Sequence, residues 1–372
     1  MRSKEYIKNN PYRVLGVATT DSPATRMQRQ SRMKAFASIG KAVTFPMDLF
    51  PVYGNHPERN EAAISAAMSQ LSTPKDRLLH GMFWFMNVTA TDAEALAVLF
   101  KTGKLLDARR IWGKAEQNMS AVQNQVVCCL LMDPCAYAMA LQEAYYLYTR
   151  FGDEFINTIC GGVQVITPDQ LMPLFMKEII RFSGADCCCW DKAVKNGNNA
   201  TIDKCWTEAK ATPLITQLQT VLNIARSTEC HSPEENLDLA TGLMKQAEPL
   251  LKPLRTLAAT HPILYSRYAT ITDTVAETVL DHEIEYSLRT KWISKKEKLC
   301  MELMCFCYRY ACTVRFKHRC QKNINIGLYR PEEAPLFPNG MPDNLTSESE
   351  RKKRNEDISA ILSAMEAVKK EK

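Results

Sequence analysis

Glycine is scarce in this sequence, with 14 residues in 372. An open α/β sheet draws on glycine for its many tight turns, so the scarcity argues against that class. β-Branched runs are also few, while Ala/Leu/Met/Glu/Lys segments are long, which favours helix. No uninterrupted apolar run reaches the length of a membrane-spanning helix. The nearest, 126–141, is broken by Asp133-Pro134, and 301–314 contains Glu302 and Arg309. A membrane is therefore not expected as a partner. No glycine-rich phosphate loop, Gly-x-Ser-x-Gly or His-Glu-x-x-His occurs. Neither an enzymatic activity nor a cofactor is expected. Met1 to Tyr6 carries no apolar leader core, and a cytoplasmic setting is expected.

Charge is nearly balanced: 47 Lys and Arg against 41 Asp and Glu, a net +6. That excess is too small to argue nucleic-acid binding. The best local candidate, Tyr308-Arg309-Tyr310 through Arg315-Phe316-Lys317-His318-Arg319, is interleaved with apolar residues and reads as a buried helix. The 14 cysteines read as reduced thiols. Cys187-Cys188-Cys189 are contiguous, so their side chains diverge and at most two of them can share an ion. Cys205 and Cys230-His231 are the further ligands such a site would draw on. Cys300, Cys305, Cys307 and Cys312 lie in an apolar helix as small hydrophobes. No metal site is assigned.

Along the chain, residues 3–8 read as a polar lead-in. A short helical turn follows at Pro11 and ends near Gly16. Ser22-Pro23 opens a helix to Ile39, with Met27, Met33, Phe36, Ala37 and Ile39 expected to face inward. A proline-rich loop, 41–58, leads to a helix from Pro57 or Glu58 to Leu71. Thr73-Pro74 restarts a helix whose inner side is expected to carry Leu78, Leu79, Met82, Phe83 and Phe85. Helices are then expected from Thr91 to Gly103, at 105–112, 120–131, 134–151 and 170–182. A Cys/Asn-rich loop is expected at 184–201. Helices resume near Ile202, at 215–224, 233–251, 263–289 and 295–316. Residues 323–344 read as a linker. Ile358, Ile361, Leu362, Met365 and Val368 form the stripe of an amphipathic tail helix behind the basic run 351–354.

The segment "apolar helix, Gly103, Lys104-Leu105, Asp107-Ala108-Arg109-Arg110-Ile111-Trp112" resembles one tetratricopeptide-like hairpin. The N-terminal stretch resembles a J-domain, the co-chaperone module. Tyr12-Arg13-Val14-Leu15-Gly16-Val17 matches that family's opening, and Leu71-Ser72-Thr73-Pro74-Lys75-Asp76-Arg77 matches the end of its third helix. The likeness covers about a fifth of the chain. It implies an antiparallel helical hairpin with a basic second helix, here Arg26, Arg29, Arg32 and Lys34. It also implies a protein partner, a DnaK-type chaperone or its clients. The family stimulates its ATPase partner through a His-Pro-Asp loop. At that place this chain has Phe45-Pro46-Met47-Asp48, and His56-Pro57 reads as a turn before the third helix.

The expected architecture is all-α. It comprises a degenerate J-like domain (1–88), a repeat-like hairpin region (89–185), a Cys/Asn-rich loop (186–201), a helical domain (202–322), and a linker with tail helix (323–372). The favoured function is a non-catalytic interaction or scaffold protein, a co-chaperone relative without ATPase stimulation. Its expected contact surface is Arg26, Arg29, Arg32, Lys34, Phe45, Pro46 and Asp48. The alternatives are an active co-chaperone with an atypical loop and a cysteine-centred metal protein or enzyme.

Overall fold

The structure is a computed structural model. It describes residues 2–41, 43–132, 136–184, 187–290 and 296–328. Among these every regular element is helical and none is a strand, so the fold is all-α. Its contacts divide the chain into two compact units, Met1–Thr212 and Pro213 onward.

The first unit opens with helix α1 (Arg2–Lys8), where a polar lead-in was expected. Ile7 is fully buried, and the Ser3 hydroxyl donates to the Leu130 carbonyl at 3.2 Å. These two anchors outweigh the polar composition. Helix α2 (Pro11–Leu15) starts as the sequence indicates: the Asn10 side chain accepts from Tyr12 N–H at 3.0 Å, and proline fills the first turn. It ends at Gly16, whose φ of +65° suits glycine.

Helix α3 (Pro23–Ala37) is capped by Ser22, whose hydroxyl accepts from Thr25 N–H at 3.1 Å. Met33 is its one buried residue. Met27 and Ile39, expected to face inward, are each 63% exposed. Phe36 is partly buried against the core, so the inward face runs through Met33 and Phe36 and leaves out Met27 and Ile39. Helix α4 (Phe50–Tyr53) follows. Helix α5 (Glu61–Ser69) starts later than Pro57 or Glu58, because the Asn60 side chain accepts from Ala63 N–H at 2.8 Å and sets the cap there.

Helix α6 (Pro74–Gly81) stops before the apolar run expected to continue it. Met82 to Met86 are fully buried but not helical. Helix α9 (Met119–Leu131), all 13 residues of which are buried, supplies the partners that a helix would otherwise provide. The Gln123 Nε2 amide donates to the carbonyls of Gly81 (3.1 Å), Met82 (3.0 Å) and Trp84 (3.2 Å). Asn124 accepts from Met86 N–H at 2.8 Å and donates to Met86 O at 2.9 Å. From the other side, Trp84 Nε1–H donates to Val17 O at 2.9 Å.

Helices α7 (Ala90–Thr102) and α8 (Leu105–Trp112) lie within a residue or two of the expected bounds and pack on each other, with Gly103 at φ +69° closing α7. Asp92, in the first turn of α7, is fully buried. Its carboxylate accepts from the backbone N–H groups of Val88 (3.1 Å) and Thr89 (2.9 Å). It also accepts from Trp112 Nε1 (3.0 Å), Ser120 Oγ (2.7 Å) and Asn124 Nδ2 (3.1 Å). These hydrogen bonds satisfy the buried carboxylate and tie α7, α8 and α9 together.

Helix α10 (Tyr137–Cys160) packs along α9 and kinks at Phe151. Helix α11 (Leu171–Ser183) closes against α1 and α10. Where a Cys/Asn-rich loop was expected, Cys187–Gly197 is helix α12. The buried Trp190 ring stacks on Tyr137 with centroids 4.0 Å apart, and that burial favours order over the composition's loop signal. Helix α13 (Ala200–Ser227) carries Pro213 within it.

The second unit is built on two long helices, α14 (Pro233–Thr260) and α15 (Tyr265–Arg289), packed along each other. Leu243, Leu251 and Leu254 of α14 and Val275, Val279 and Leu280 of α15 are buried. Helix α16 (Glu297–Tyr310) packs on them. The single helix expected over 295–316 breaks before α17 (Val314–Leu328). The Asp273 carboxylate accepts from Cys312 N–H at 2.6 Å and Thr313 N–H at 3.0 Å, which fixes the turn, and the Thr313 hydroxyl accepts from Phe316 N–H at 3.4 Å at the start of α17. Residues 323–328 are thus the end of a helix rather than linker. The basic run 351–354 and the amphipathic tail stripe lie outside the described residues.

Candidate protein-contact site

The loop between α3 and α4 holds the residues on which the contact hypothesis turns. Pro46 to Asp48 form one 3₁₀ turn. Phe45 is buried, with its ring between two guanidinium groups: Arg29 at 4.5 Å and Arg59 at 4.9 Å from the ring centroid. The same ring lies where a side chain at Gly16 would sit, since a Cβ there would come within 2.2 Å of it. Gly16 is therefore required twice, by its dihedral and by this contact.

Asp48 is 0% exposed. Its Oδ2 accepts from Phe45 N–H at 3.1 Å, from His56 Nδ1–H at 2.9 Å and from Arg59 Nη1 at 3.0 Å, and its Oδ1 pairs with Arg59 Nη2. Arg59 uses its remaining donors on backbone carbonyls: Nε on Val14 (2.7 Å), Nη1 on Val43 (2.7 Å) and Nη2 on Arg13 (3.1 Å). Arg13, itself buried, donates from Nε to the Asp48 carbonyl at 2.9 Å, from Nη1 to Lys8 O at 3.0 Å and from Nη2 to Asn55 O at 2.7 Å. Burial lowers the Arg13 guanidinium from its ordinary value, an effect opposed by Tyr53 and Asp48. Its guanidinium lies 4.3 Å from the Tyr53 ring centroid.

Two arginines and one aspartate thus bind α2, the 3₁₀ turn and the 55–59 segment into a single corner. The chemistry is fixation: bidentate guanidinium–carboxylate geometry plus saturated carbonyls. Outside this clamp lie the groups available to a partner. Pro46 is exposed, and Phe50 is 49% exposed and stacked on the His56 ring at 4.7 Å.

Of the seven residues expected to form the contact surface, five reach solvent and two do not. Arg32 and Lys34 are exposed on α3, with Arg32 5.8 Å from the Phe36 ring centroid. Arg26 and Arg29 are half-buried along the flank of α3. Arg26 Nη1 donates to Asp21 O at 2.8 Å. Pro46 is exposed. Phe45 and Asp48 are buried, Phe45 against Gly16, Arg29 and Arg59, and Asp48 against His56 and Arg59. Arg13, His56 and Arg59, none of them among the seven expected contact residues, are central to the corner, and His56, expected only as a turn residue, bonds to Asp48. The one signal for Arg13 was a charged residue amid Tyr12, Val14 and Leu15.

Among the described residues no three His, Cys, Asp or Glu side chains gather in a metal-holding cluster. Burial pushes the thiols of Cys129 and Cys312 up to about 11 and that of Cys320 to about 12. Thiols so raised are poor nucleophiles. No helix of the described residues is long and apolar enough to cross a membrane. No family model, curated protein or solved structure matches this chain.

Proposed function

We propose that this chain is a non-catalytic protein-interaction or scaffold protein, a co-chaperone relative that does not stimulate an ATPase. One observation carries the reading. The aspartate at the place of the family's activating loop is wholly buried, and both its oxygens are occupied from within the chain. A carboxylate so saturated has nothing to offer a partner's cation without the corner first opening. Opening would strand the Arg59 guanidinium and the carbonyls it serves, which is costly in a low-dielectric interior. The J-like resemblance at Tyr12–Val17 and Leu71–Arg77 supports a protein partner. So do the exposed cations Arg32 and Lys34 of α3, together with the exposed Met27 on that helix and Ile39 in the turn after it.

A second reading has one observation in its favour. His56-Pro57 and Asp48, eleven residues or fewer from Arg59 in sequence, meet in space through the His56–Asp48 hydrogen bond at 2.9 Å. An active co-chaperone would then present a discontinuous His, Pro and Asp, with His56 as its outward member.

Affinity capture from the native cell, with mass spectrometry, tests the first reading. Removing residues 1–88 would tear Met82 to Met86 from the first unit's core, so the comparison uses the intact chain and an Arg32→Glu/Lys34→Glu variant. Partners lost from the variant support the contact surface; an unchanged partner list rejects it.

A further inference from the structure

We draw no further inference here: the strongest candidate, the open groove along α16 lined by Lys298, Met301, Glu302 and Cys305, is an unpartnered helix face, and nothing in the structure shows what covers it.

Discussion

Arg59 and Asp48 form a bidentate ion pair inside the protein, with the Asp48 side chain 0% and the Arg59 side chain 5% exposed. Removing one partner of a buried pair leaves an uncompensated charge, at a cost of about 3–5 kcal/mol. Arg59→Ala is expected to destabilise the first unit by that amount, because three carbonyls lose their donor as well. Arg59→Lys is expected to rescue little of it, since an ammonium cannot reproduce the planar fork. Urea unfolding of both variants checks this; a cost under 1 kcal/mol for Arg59→Ala would show that the clamp is dispensable.

Gly16→Ala tests the same corner from the other side. The left-handed backbone alone costs a non-glycine residue roughly 1–2 kcal/mol. The methyl group would also overlap the Phe45 ring, and overpacking typically adds about 1–3 kcal/mol. Thermal or urea unfolding is expected to show a loss of at least about 2 kcal/mol. At Gly40, where φ is +68° but no atom lies within 4 Å of the added Cβ, the loss should be the smaller.

Gln123→Leu is expected to loosen the buried segment 82–86. Three carbonyls would lose one shared amide donor, and each buried group left unsatisfied costs about 1–3 kcal/mol. Hydrogen exchange should accelerate at residues 82–86 before it does so in α14 and α15. Equal protection in variant and parent would mean that the segment is held without Gln123, by its apolar side chains and the Asn124 and Trp84 hydrogen bonds.

Stability should fall on acidification. Burial lowers the His80 imidazole from its ordinary value, with Arg181 adding to the effect and Asp76 opposing it; burial likewise lowers His282. The unfolded chain therefore binds these protons more tightly than the folded one. The contribution is fully present above the ordinary value of about 6.5 and is lost as pH drops below it toward the folded values. Urea midpoints at pH 7.5 and 5.5 are expected to differ, and His80→Gln to narrow the gap. A gap that the substitution leaves unchanged would locate the acid sensitivity elsewhere.

Thiol reactivity should sort by position. Cys188 is exposed, whereas Cys128, Cys300, Cys307 and Cys320 are buried. Brief maleimide treatment of the native protein, read by peptide mass spectrometry, is expected to label Cys188 first and these buried thiols, with Cys129 and Cys160, only on unfolding. Early labelling of Cys307 or Cys320 would contradict the packing of α16 and α17.

Local signals carried much of this fold. Ser22-Pro23, Thr73-Pro74 and Gly103 mark helix ends because capping chemistry is written within a few residues. Long-range partners were not legible. The run Leu78, Leu79, Met82, Phe83 keeps a helical period, yet the chain leaves the helix at Gly81. It does so because Gln123 and Asn124, about forty residues on, take up its backbone groups. Cys187-Cys188-Cys189 and Asn196-Gly197 read as loop but are helical beside the Trp190–Tyr137 stack, while Asn198 and Asn199 form the break before α13. The corner was half legible. Pro46 and Asp48 stood out by their place in a known pattern. That Asp48 turns inward depends on Arg59 and His56, which sequence spacing alone does not bring together.

ATP turnover by a DnaK-type chaperone, measured with rising concentrations of the intact chain, tests the central claim most directly. With Asp48 held inside by Arg59 and His56, no acceleration over the chaperone alone is expected at any concentration. A saturable acceleration that Asp48→Asn abolishes, in a variant shown by circular dichroism to remain folded, would contradict it.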